Sequence, residues 1–96
     1  MSWHVYMILC SDNSLYTGIT TNIERRFAQH GGREGASYFR GRTPQRLVYL
    51  ESAHDRSTAS RREAAIKKLR RPDKHRLIHS DKNEIIADLQ SVPSNS

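Results

Sequence analysis

Between Trp3 and Cys10 the side chains alternate, with Val5, Met7 and Leu9 on one side and His4, Tyr6 and Ile8 on the other. A period of two marks a strand. The polar run Ser11-Asp12-Asn13-Ser14 is a turn, because such side chains bond their own backbone and Asn tolerates the left-handed region. Leu15 to Ile19 returns as the second arm of a hairpin. After it the period lengthens. Thr21-Asn22-Ile23-Glu24 has the spacing of a capping box, and a helix is predicted from there to about His30, where Gly31 and Gly32 stop it. Arg46 to Glu51 reads as a third strand, approached through Pro44. A second helix is predicted from about Ser57 to Arg71, ended by Pro72. Leu77-Ile78 and the Ile85, Ile86, Leu89 pattern predict two further short helices, and Ser91 to Ser96 a disordered end. The order describes one α+β unit.

Length bounds this picture. The chain has 96 residues, enough for one small domain with a thin core. A single cysteine, Cys10, excludes an intramolecular disulfide and a cysteine-rich zinc site, and fits a reducing compartment. The apolar stretch Trp3 to Cys10 is too short to span a membrane or to act as a secretory signal. The expectation is a cytoplasmic protein with no membrane partner.

Charge changes the picture more. The net charge is +6, and residues 1–80 hold 15 of the 16 Lys and Arg against 7 of the 10 acids. The basic excess therefore sits on the domain, while residues 81–96 are net acidic. Arg56 to Arg76 alone carries nine basic residues against Glu63 and Asp73. Such a field attracts polyanions, and nucleic acid is the expected partner.

Helical phase then separates neighbouring residues. At about 100° per residue, Ile23 and Phe27 define the buried side of the first helix. Arg26 and His30 fall beside that side, whereas Arg25 and Gln29 point nearly away from it. Arg26 reads either as a stem covering the core edge or as a guanidinium held at a rigid site. His30 reads either as a favourable helix C-terminal residue or as part of that site. On the second helix Ala59, Ile66 and Leu69 form the inward stripe, with Glu63 on its edge and Lys67 one turn on. Glu63 and Lys67 make an ordinary i,i+4 pair. Alternatively Glu63, a lone acid among Arg61, Arg62, Lys67 and Lys68, holds a hard cation whose other ligands are water and phosphate.

The half-motifs His4-Val5-Tyr6 and Tyr16-Thr17-Gly18, followed by Arg26 and His30, resemble the GIY-YIG nuclease domain, and most closely its small stand-alone YhbQ-like members. The likeness continues through Gly35-Ala36-Ser37-Tyr38 and Arg40-Gly41-Arg42-Thr43-Pro44 to Arg62-Glu63-Ala64-Ala65-Ile66, covering about residues 3–79. His4 replaces the glycine of the first half-motif, Ile19 stands where some members carry lysine, and no later asparagine has a matching context, Asn83 included. The resemblance implies a three-stranded antiparallel sheet flanked by helices over residues 1–80, with a short helix and tail over 81–96. It implies a Mg²⁺- or Mn²⁺-dependent DNA endonuclease acting in repair or recombination. In that reading Glu63 binds the metal, Arg26 contacts the scissile phosphate, His30 belongs to the catalytic set, and Tyr6 or Tyr16 positions or deprotonates the attacking water. A free phenol is only about 0.1% ionised at pH 7, a cost of roughly 4 kcal/mol, which a neighbouring cation is expected to lower. Arg33, Tyr38, Arg40, Arg42 and Lys67 are the expected DNA grip, since arginines interleaved with aromatics suit phosphate contact and stacking. The alternative is a nucleic-acid-binding module whose GIY-YIG site is weakened or unused.

Overall fold

The computed structural model describes residues 2–30 and 43–85, the side chains of Gln29 and His30 excepted. Along them run β1 (Trp3–Cys10), β2 (Leu15–Thr20), α1 (Ile23–His30), β3 (Pro44–His54), α2 (Arg56–Lys67) and α3 (Arg71–Ile78). This is the expected β-β-α-β-α-α order, and the strands form one antiparallel sheet in the order β2-β1-β3. Among the described residues no helix is long and apolar enough to cross a membrane.

The central strand explains how so short a chain builds a core. Val5, Tyr6, Met7, Ile8 and Cys10 of β1 are all buried, so its alternation feeds two cores rather than one core and a wet face. Val5 and Met7 pack with Tyr49, Ala59 and Ile66 under α2. Tyr6, Ile8 and Cys10 form the other cluster, covered by Ile23 and Phe27 of α1. α1 thus lies where its apolar stripe points, and α2 does so through Ala59 and Ile66, while Leu69, expected in that stripe, falls beyond its end. The hairpin turn closes with Asn13 N–H on Cys10 O and Cys10 N–H on Ser14 O, both at 2.9 Å. Asn13 takes the left-handed conformation this requires, with φ 69°.

Three boundaries differ from the sequence expectation. The cap of α1 is Asn22 rather than Thr21: Asn22 Oδ1 accepts Arg25 N–H at 3.0 Å, and Thr20 Oγ1 accepts Asn22 N–H at 3.1 Å. β3 runs from Pro44 to His54 instead of Arg46 to Glu51. Its ends pair with β1, Cys10 with Pro44 and Trp3 with His54, and a proline at the first position of an edge strand removes no needed donor. Pro72 begins α3 rather than ending α2. A first-turn proline lacks an N–H that would have no intrahelical partner anyway. α2 stops at Lys67, where Lys68 N–H and Leu69 N–H turn back to the carbonyls of Ala65 and Ile66.

Asn83, to which the sequence pattern attaches no role, ties the end of the domain to the sheet. It is 1% exposed. Its Nδ2 donates to Val48 O and Ile78 O, both at 2.8 Å, and its Oδ1 accepts Leu50 N–H at 3.2 Å and Ile85 N–H at 3.0 Å. One amide satisfies backbone groups of β3, of the α3 terminus and of the segment after it.

Candidate active site

Antiparallel register sets Tyr6 opposite Gly18 and Ile8 opposite Tyr16, so both phenols rise from the α1 side of the sheet. Tyr6 leans across Gly18. A Cβ added there would lie 2.5 Å from Tyr6 Oη and 3.1 Å from Tyr16 Cε2. No side chain fits that space, so the glycine is a steric requirement of the tyrosine pair. The two rings stand 6.2 Å apart between centroids and are inclined at 43°. Arg26, on the first turns of α1, hydrogen-bonds both phenols, Tyr6 first. Arg25, one position earlier, is exposed. Helical phase thus separated the two arginines correctly.

The electrostatics differ from the sequence expectation. Burial pushes the Tyr6 phenol up to about 12, and the hydrogen bond from Arg26 only partly offsets it; the charges of Tyr16 and Glu63 push the same way as burial. Ionising Tyr6 at pH 7 would then cost about 7 kcal/mol, more than the ~4 kcal/mol of a free phenol. The neighbouring cation does not win, because β1 is buried on both faces. Tyr6 is a neutral hydrogen-bonding group. It helps raise the affinity of Arg26 for its own proton and orients the guanidinium without cancelling its charge.

Glu63 comes from α2, and its charge is felt at Tyr6. Its side chain is 25% exposed, with Oε2 3.4 Å from Nζ of the more exposed Lys67. A partly shielded carboxylate is the oxygen donor a hard divalent cation takes, so the residue fits a Mg²⁺ or Mn²⁺ ligand. Among the described residues no three His, Cys, Asp or Glu side chains gather. A cation at Glu63 would complete its shell with water and substrate oxygens. The His30 side chain and Arg33, Tyr38, Arg40 and Arg42 lie outside the described residues.

A family model described as the GIY-YIG catalytic domain matches residues 2–76. The chain belongs to the GIY-YIG family. It is similar to the UPF0213 protein of Natronomonas pharaonis, 52% identical over 75 residues that make up 78% of this chain and 88% of the relative. The UPF0213 protein YhbQ of Escherichia coli is 41% identical over 91 residues, 93% of this chain and 91% of its own. The solution NMR structure of a UPF0213 protein from Bacillus halodurans matches with a TM-score of 0.58 at 34% identity, over 98% of this chain and 100% of that one. The family places the chain in a nuclease-type superfamily.

On the opposite face of this GIY-YIG sheet lies a second polar cluster that sequence reasoning missed. Glu51 accepts the Tyr49 hydroxyl, and its oxygens accept Arg62 Nε–H at 3.1 and 3.0 Å. His54 Nε2 stands 2.7 Å from Glu51 Oε1, while its Nδ1 meets Thr58 Oγ1 at 3.0 Å. Thr58 in turn forms a capping box with Asp55 at the start of α2. Asp55-x-x-Thr58 carries a helix-start signal that the reading from about Ser57 did not use. The Glu51–Arg62 contact joins residues eleven apart from a strand to a helix, and no local pattern encodes it.

Proposed function

We propose that the chain is a divalent-metal-dependent DNA endonuclease that hydrolyses phosphodiester bonds with structural or weak sequence preference, in DNA repair or recombination. One observation carries this reading: a guanidinium on α1 held against two phenols over Gly18, within the electrostatic reach of a partly exposed glutamate. Arg26 is the group that meets the scissile phosphate, where a planar fork suits two oxygens and the charge that builds on them. Tyr6, neutral and buried, positions Arg26. Tyr16, half-buried, is the phenol that orients the attacking water. Glu63 holds the metal, which when bound polarises the phosphate and stabilises the leaving oxygen. His30 completes the site, and Arg33, Tyr38, Arg40, Arg42 and Lys67 grip the DNA.

The test is incubation of the purified protein with labelled single-strand, duplex, flap and branched DNA, in Mg²⁺, in Mn²⁺ and in chelator. Cleavage lost in chelator and in Glu63→Ala, with DNA binding kept, supports the reading. Cleavage that survives Glu63→Ala sinks it. A second reading, a nucleic-acid-binding module with an unused site, is favoured by the Glu63–Lys67 pair, the contact any solvated helix makes. Binding without cleavage under every condition selects it.

A further inference from the structure

A cavity of about 330 Å³ is lined by Ser2, His4, Thr21, Asn22 and Arg25. None of these residues belongs to the Tyr6–Tyr16–Arg26 constellation, yet two of them adjoin it directly. His4 lies two positions before Tyr6 on the same face of β1, opposite Thr20. Arg25 precedes Arg26 on α1.

The lining chooses a ligand class. Among the described residues it contains an arginine, an imidazole, two hydroxyls and an amide, and no carboxylate. That composition suits an anion with several acceptor oxygens. It is poorly suited to a nucleobase, since among the described residues no phenyl, phenol or indole ring lines the cavity to offer a stacking platform. The imidazole is held in place from outside the cavity: His4 Nδ1 lies 2.8 Å from Ser52 Oγ on β3, which leaves Nε2 as the ring's other polar atom. The first turn of α1 is not the attraction. Asn22 Oδ1 already accepts Arg25 N–H, so a side-chain cap occupies that end, and the cation offered is the exposed guanidinium of Arg25.

Spacing chooses the position. Two residues of strand, about 6.7 Å of rise, separate His4 at the cavity from Tyr6 at the arginine site. Arg26 and Arg25, about 100° apart around α1, serve two different directions: Arg26 turns to the phenols, and Arg25 faces the cavity.

We propose that this cavity is a subsite for the backbone phosphate flanking the scissile one, with Arg25 as its cation and His4 and Thr21 as polar partners. The proposal rests on the nucleic-acid reading of the Arg26 site. It assigns a register: consecutive phosphates of one strand are taken by consecutive arginines.

The test uses the full chain and a single-stranded oligonucleotide carrying one neutral methylphosphonate, moved one position at a time. Binding is read by fluorescence anisotropy between 50 and 200 mM salt, chosen on the order of where phosphate contacts dominate. In the unsubstituted protein two adjacent positions should each weaken binding about tenfold. Arg25→Ala should abolish the sensitivity at one of them, leave the other intact, and lower the salt slope by about 1; Arg25→Lys should restore part of it. Arg61→Ala removes an equal charge from an exposed position of α2 and should leave the two-position profile unchanged. If Arg25→Ala weakens binding evenly at every position, or not at all, the subsite is wrong while the nucleic-acid reading stands. If the unsubstituted protein binds no oligonucleotide, that reading fails and the subsite with it.

Discussion

Tyr6 and Tyr49 make a controlled comparison inside one molecule. Both are fully buried on adjacent strands, both are pushed upward by burial, and each receives a hydrogen bond from an arginine of the overlying helix. They face opposite sides of the sheet, since Tyr49 pairs with Met7 and not with Tyr6. The difference lies in the third partner. Beside Tyr49, Glu51 accepts hydrogen bonds from both the phenol and Arg62, closing an ion pair that is largely shielded from water. Beside Tyr6, the leading partner added to Arg26 is a second phenol, Tyr16. Phenols orient a guanidinium but do not neutralise it. One face therefore uses its arginine to fasten α2 to β3, and the other presents an oriented positive charge. The same residue types give a clamp where Glu51 accepts directly from both phenol and arginine, and a site where a second phenol joins them and Glu63 acts through its charge.

Substitutions on the two faces should accordingly be read by different instruments. Arg26→Ala should have the largest effect, reducing single-turnover cleavage about a thousandfold, or ~4 kcal/mol in the barrier. Its urea midpoint should move less than that of the Glu51 variant, because the Tyr6 ring it contacts stays buried in the sheet. A large loss of stability with intact cleavage would reverse the comparison. Glu51→Ala should do the opposite. It leaves Arg62 and the buried Tyr49 hydroxyl without their acceptor, and should lower unfolding free energy by about 2–3 kcal/mol, less than for a fully buried pair because both partners retain some solvent. Cleavage per folded molecule should fall by less than about tenfold.

Gly18→Ala sharpens the comparison further, because it displaces Tyr6 Oη without removing any hydrogen-bonding group. We expect cleavage to fall about thirtyfold with roughly 1–2 kcal/mol of destabilisation. Gly18→Ala combined with Tyr6→Phe should recover part of that stability loss, since one of the two closest atoms in the clash is then absent; no recovery would mean that the strain lies elsewhere.

The smallest effects are those of pH, and Tyr6 and Glu51 act at opposite ends of the scale. Tyr6 has a raised value in the folded chain, so its contribution to stability is complete below about pH 10 and is lost as pH rises toward about 12. A phenolate absorbance titration should show ionisation lagging behind that of free tyrosine. For Glu51, burial pushes the carboxyl up, but hydrogen bonds from Tyr49, His54 and Arg62 together outweigh it and hold the group below its ordinary 4.5. That contribution is present above pH 4.5 and is lost as pH falls through the lowered value. Glu51→Gln should flatten the acid limb of a urea-midpoint profile.

Much of this molecule was legible along the chain. The period of two from Trp3 to Cys10 named β1, the polar run Ser11 to Ser14 named the turn, and the Ile23–Phe27 stripe told Arg26 from Arg25. These are local properties: a strand or helix has a fixed angular step, so residue spacing alone assigns faces. The errors have a common origin. β3 reaches His54 because β1 supplies partners for it, and Pro72 starts α3 because the chain has already turned at Lys68 and Leu69.

Residue types and order thus determined the element sequence, the basic charge and which of two neighbouring arginines turns to the phenols. Packing alone decided what those residues became. Burial of β1 on both sides raised Tyr6 instead of activating it, because desolvation depends on what covers a group and not on its neighbours in sequence. The Tyr6–Gly18 crossing, the Glu51–Arg62 clamp and the Asn83 anchor join residues distant along the chain. Such contacts are set by sheet register and helix placement, which no spacing within a single element specifies.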